Sequence, residues 1–172
     1  MGIGLLQKQR NIFQMNSQEH EKFMRRCIEL AQDSLDSGDN PFGSVIVKDN
    51  EIIAEARNSA LHDDITDHAE VIAMRRARKV LGTSDLSACT LYSNCEPCPM
   101  CSFMIREQHI KEVVFALRTP HMGGYSRWDI LQDHELAKYT PVFSSPPNVI
   151  IGILEKEATE QFEKAGWTIH SV

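Results

Sequence analysis

From Ser17 to Leu35 the apolar positions fall at helical spacing. Phe23, Cys27, Leu30, Ala31 and Leu35 follow one another at steps of four, three, one and four residues, which puts them on one face of an amphipathic helix. Ser17 stands ahead of acidic residues as a candidate N-cap, and Gly38 supplies a stop. The period then changes. In NPFGSVIVKDNEIIAEARN two short apolar and β-branched runs flank Asp49 and Asn50, a pair that accepts left-handed backbone angles and so predicts a hairpin. Helical spacing returns in DHAEVIAMRRARKVL, Asp67 to Leu81. There Val71, Ile72, Ala73, Ala77 and Val80 cover enough of the circumference to predict an interior helix before Gly82 ends it.

Beyond Gly82 the chain alternates. ACTLYSN reads as a strand, PCPMCSFMIREQ as a helix beginning at the cysteines with Pro97 at its start, and EVVFAL as a strand. RTPHMGGYS reads as a loop, RWDILQDHELAKY as a helix, PVFSSPPN as an irregular connection, VIIGIL as a strand and EKEATEQFEKAGW as a closing helix. Such alternation predicts an α/β sandwich, a sheet with helices on its faces and chemistry on the loops at strand ends. Residues 17–172 are expected to form a single domain, with 1–16 as an N-terminal extension.

Composition narrows the class. A chain of 172 residues with 42% hydrophobic and 24% charged residues suits one soluble domain. No segment approaches the roughly 18 apolar residues of a membrane span, and the N-terminus lacks a secretory h-region, so a cytoplasmic protein is expected. The five cysteines are odd in number and clustered, unlike a secreted disulfide framework. A formal net charge of -6 argues against a broad nucleic-acid footprint.

Three of the cysteines, 95, 98 and 101, crowd into SNCEPCPMCSF. A CxxC pair at a helix start suits a redox dithiol, a metal-ligand pair or plain packing, because backbone NH groups and the helix dipole lower thiol pKa there. Upstream, His68 and Glu70 begin the second helix, about one helix plus one strand away. That separation lets both helix starts share one edge of a sheet. A His and two thiolates leave the fourth tetrahedral position open, as catalytic zinc requires. His68-Ala69-Glu70 followed by Pro97-Cys98-Pro99-Met100-Cys101 matches the H-x-E and P-C-x-x-C pattern of zinc base deaminases.

On PFGSVIV, Asn58, HAEVIAMR, NCEPCPMC and VVFAL, in that order, the chain resembles the cytidine and deoxycytidylate deaminase superfamily, in the branch of bacterial guanine deaminases and tRNA adenosine deaminases. The likeness runs from about Ser17 through Leu131. It implies a three-layer α/β/α sandwich with a mixed central sheet of about five strands. It also implies that His68, Cys98 and Cys101 hold Zn2+ and that Glu70 shuttles protons. Asn58, Phe42 and Ala69 become candidate contacts to the base, and Cys95 a buried or pocket-lining thiol. Members of the family are commonly dimers, so a homodimer is expected.

The substrate is read from what differs. HMGGYSRWDIL lacks the paired acids that follow a Gly-Phe in guanine deaminases, while its Ser126, Asp129 and Leu131 are similar to tRNA adenosine deaminases. His121, Tyr125, Trp128 and Asp129 are the candidates to supply specificity instead. A free nucleobase or nucleoside, purine-like, is favoured over tRNA because the C-terminal segment is not basic and RNA affinity depends on cationic contacts. The alternatives are tRNA adenosine-to-inosine deamination and a catalytically silent zinc-binding partner subunit, against which the intact Glu70 stands.

Overall fold

The computed structural model describes residues 2–168. Its sheet is made of the β-branched runs. Strands β1 (Gly43–Lys48) and β2 (Glu51–Arg57) pair antiparallel through Asp49 and Asn50, whose φ angles of 51° and 63° are those of a two-residue primed turn. Strand β3 (Thr90–Cys95) lies antiparallel to β1, and β4 (Glu112–Leu117) and β5 (Asn148–Ile151) extend the sheet in parallel. The order β2-β1-β3-β4-β5 makes one mixed five-stranded sheet.

Helices cover both faces. On one, Phe23, Met24 and Cys27 of α1 (Gly2–Asp36) and Phe162 of α4 (Glu155–Lys164) pack with Val45, Tyr92 and Val114. On the other, Ala73, Met74 and Ala77 of α2 (Ala69–Leu81) and Ile105 of α3 (Pro99–Glu107) pack with Ile46, Leu91 and Phe115. Sequence neighbours such as Val45 and Ile46 therefore enter opposite cores, as the two-residue period of a strand dictates. The result is the expected α/β/α sandwich.

Several boundaries differ from the sequence reading. Helix α1 passes through Ser17, whose hydroxyl donates to Glu21 at 3.5 Å in place of capping. The preceding residues include no proline to stop a helix. Helix α3 starts at Pro99, with Cys98 in the N-cap position, and α2 starts at Ala69 behind His68. The helix expected over RWDILQDHELAKY is a series of turns with only a short 3-10 segment at Leu136–Tyr139, because Asp129 takes a left-handed φ of 55°. The closing helix ends at Lys164. Gly166 has φ 79°, the Gly166 NH donates to Glu163 O at 3.0 Å and the Trp167 NH to Phe162 O at 2.9 Å, a Schellman turn that swings Trp167 back onto Phe162. Among the described residues no helix is long and apolar enough to cross a membrane.

The long connection from β4 to β5 is tied down by Arg106 of α3. This side chain has no exposed surface, and its guanidinium donates to the carbonyls of Ile130 and Ser144. Two carbonyl acceptors, one buried and one half-buried, thus replace water for the charge.

Candidate metal centre and cavity

Helix α2 runs into β3 and α3 into β4, so both helices begin at the same edge of the sheet. That edge carries His68 and Cys98, each with extended backbone immediately before its helix, and Cys101 one turn into α3. The His68 carbonyl accepts from the Ile72 NH and the Cys98 carbonyl from the Ser102 NH, which ties each ligand residue to its own helix. His68 Nδ1, Cys98 Sγ and Cys101 Sγ stand at the corners of a triangle whose three edges are each 3.6 Å. Tetrahedral zinc with bonds of about 2.3 Å to sulfur and about 2.0 Å to nitrogen requires edges of roughly 3.5 to 3.8 Å. The three donors fit that ion.

Their electrostatics agree. A hydrogen bond from Cys101 holds the Cys98 thiol down at about 4, with His68 assisting against burial. The same bond and burial push Cys101 up, and the Cys98 partner raises His68. One sulfur is therefore already disposed to be anionic. Beside the triangle, the Glu70 carboxyl is buried, accepts from Ser93 Oγ at 3.3 Å and lies 3.6 Å from Cys101 Sγ. Burial pushes its pKa up, and the neighbouring Cys98 charge adds to the shift.

A cavity of about 200 Å³ opens over this group, with His68, Glu70 and Cys98 in its lining. Phe42 and Trp167 contribute aromatic surface to it and meet edge-on, with ring centroids 5.8 Å apart. Cys95, Glu96, Thr119 and Met122 complete the lining. Glu96 organises the loop after β4. Its Oε1 accepts from the NH groups of Tyr125 and Ser126, and its Oε2 from the Thr119 NH and the Ser126 hydroxyl, all within 2.9 Å. The loop also approaches through glycine. A Cβ on Gly123 would fall 1.9 Å from Glu96 Oε1, and one on Gly124 2.0 Å from Ser102 Oγ.

The structure thus brings together His68, Cys98, Cys101, Glu70 and Phe42, and places Cys95 buried in the cavity wall. Ala69 is fully buried in the first turn of α2, and Asn58 is buried at the end of β2, where its Nδ2 donates to Asp39 Oδ1 at 2.7 Å. Neither is among the lining residues. Trp128 is 53% exposed with Arg127 over its ring, Asp129 accepts from Gln132, and both lie outside the lining. His121 is exposed, and Tyr125 packs edge-on to Phe115. Glu96, Thr119, Met122 and Trp167 escaped the sequence reading. Only Glu96, an acid inside the cysteine run, and Trp167, just after a glycine, carried any local signal.

Comparison with known proteins agrees with this geometry. The family model described as the cytidine and deoxycytidylate deaminase zinc-binding region matches residues 17–117. The guanine deaminase of Bacillus subtilis strain 168 is 48% identical over 99 residues, covering 56% of this chain and 64% of that protein, slightly under two thirds of its length. The tRNA-specific adenosine deaminase of Aquifex aeolicus is 38% identical over 118 residues, covering 67% of this chain and 78% of its own. A solved tRNA:A34 deaminase superposes with a TM-score of 0.69 at 28% identity, over 81% of this chain and 98% of that one.

Proposed function

The chain belongs to the cytidine and deoxycytidylate deaminase family, and on that premise we propose that it is a zinc-dependent hydrolytic deaminase. It converts an amino-substituted nucleobase or nucleoside, a guanine-like purine foremost, to the oxo product with release of ammonia. The observation that carries this reading is the triangle of donors with the buried Glu70 carboxyl against one corner.

His68, Cys98 and Cys101 hold the zinc, which when bound polarises water and lowers its pKa toward about 7. Glu70 takes the proton of the attacking water and delivers it to the ring nitrogen beside the amino-bearing carbon. Glu70 then moves the proton of the newly added hydroxyl to the amine, so that the C–N bond breaks, ammonia leaves and the carbon keeps the oxygen as an oxo group. Ser93 holds the carboxyl in place for both transfers. Phe42 and Trp167 offer flat apolar surface to the ring. The cavity of about 200 Å³ is smaller than the roughly 300–1,000 Å³ of sites for drug-sized ligands, which suits a single heterocycle with any sugar left at the mouth. Asn58, bonded to Asp39, and Ala69, buried in the first turn of α2, lie outside the lining and shape the cavity's edge from behind. Trp128 and Asp129, lying outside the lining, serve a larger substrate.

A second reading, deamination of adenosine in tRNA, is favoured by the near-complete superposition on a tRNA:A34 deaminase. Five free cysteines suit a cytoplasmic location, and exposed Phe103, Tyr139 and Val142 give apolar surface for a homodimer. Residues 1–16 are an extension to a deaminase domain of 17–172, the family match beginning at 17. Ammonia release is to be measured on guanine, adenine, cytosine, their nucleosides, pterins and an anticodon stem-loop RNA. Turnover of a purine base or nucleoside is expected; turnover of the RNA alone would favour the second reading, and of none the silent partner.

A further inference from the structure

Thr119 lies in the cavity wall, is 2% exposed, and its hydroxyl has no hydrogen-bond partner among the described residues. Its backbone is engaged on both sides. The NH donates to Glu96 Oε2 at 2.9 Å, and the carbonyl accepts from the NH groups of Gly123 at 2.8 Å and Met122 at 3.2 Å. A buried hydroxyl without a partner is a standing cost to the fold, removed when a ligand supplies the missing bond.

The carboxylates and metal donors of the lining are committed, leaving the Thr119 hydroxyl beside the Cys95 thiol and the Trp167 indole. Glu96 spends both oxygens on the loop, His68 and Cys98 are metal donors, and Glu70 is the proton carrier. We propose that Thr119 is a specificity-determining contact whose hydroxyl hydrogen-bonds a ring nitrogen or an exocyclic oxo or amino group of a purine-like heterocycle. This rests on the deaminase reading. A hydroxyl both donates and accepts, whereas a carboxylate only accepts. The site therefore tolerates either kind of group on that edge of the ring, in place of the charge selection that paired acids would impose.

Thr119→Val keeps the shape and removes the hydroxyl; Thr119→Ser keeps the hydroxyl. With zinc content and Tm measured alongside, the Val variant is expected to fold as well as wild type. Its kcat/KM on the best ring of the panel should fall about tenfold, and the Tm rise given by the oxo product should shrink. The Ser variant should stay within about twofold of wild type on the same constant. Wild-type kcat/KM and an unchanged product-induced Tm rise in the Val variant would overturn the contact. So would a loss of activity accompanied by lower Tm or zinc content in the Val variant with no rescue by Ser, since that marks a structural role. If wild type itself releases ammonia from no ring, the deaminase reading fails and the contact with it, an outcome distinct from an active enzyme indifferent to the hydroxyl.

Discussion

Asp39 is buried, and its carboxylate accepts from Asn58 Nδ2 and the Asn40 NH at 2.7 Å and from the Leu61 NH at 3.0 Å. Burial alone would raise its pKa, but these three donors outweigh it and hold the carboxyl below the usual range. A depressed folded-state pKa contributes stability that is fully present above the unfolded value of about 3.9 and is lost as pH falls through the folded value. Thermal unfolding of wild type and Asp39→Asn across pH should therefore differ most near pH 6 to 7 and converge below about pH 4. A constant difference down to pH 3 would show that the carboxylate charge is not what fixes Asn58. His68, Cys98, Cys101 and Glu70 stand out in the sequence because the expected metal ligation and proton transfer admit few side chains, and the fold brings these four side chains together. Thr119 and Met122 do not, since a wall position constrains only shape and their loop has no period.

At the level of elements, the two helix starts and the hairpin follow from local rules, and the structure matches them to within a residue or two. The loop after β4 does not. It is held by isolated polar anchors, Glu96 from the cysteine run and Arg106 from α3, each distant in sequence from what it binds, so no window of residues predicts its path. The same loop supplies a test. In Gly123→Ala the new methyl would occupy the space of the Glu96 carboxylate. Overpacking costs about 1–3 kcal/mol, and displacing Glu96 frees the NH groups of Thr119, Tyr125 and Ser126. A Tm lower by roughly 2–4 °C per kcal/mol and reduced turnover are expected in calorimetry and ammonia assays. An unchanged Tm would mean that Glu96 is not fastening the loop. Helix α4 teaches the same lesson, because the Schellman turn that carries Trp167 to the cavity falls inside the stretch the sequence predicts as helix through Trp167.

For the whole molecule, the order β2-β1-β3-β4-β5 matters because it sets α2 and α3 side by side on one face with their starts at one sheet edge. Half of the metal site thus comes from each helix, and neither half is a site alone. The proposed deamination requires that convergence together with the Glu70 carboxyl beside it. It is tested most directly by loading wild type and Glu70→Ala with zinc, quantifying the bound metal, and measuring ammonia release from the best purine-like substrate. Both proteins should bind one zinc per chain, and the variant's turnover should fall by about 10²–10⁴-fold; near wild-type turnover by a zinc-loaded Glu70→Ala protein would contradict it.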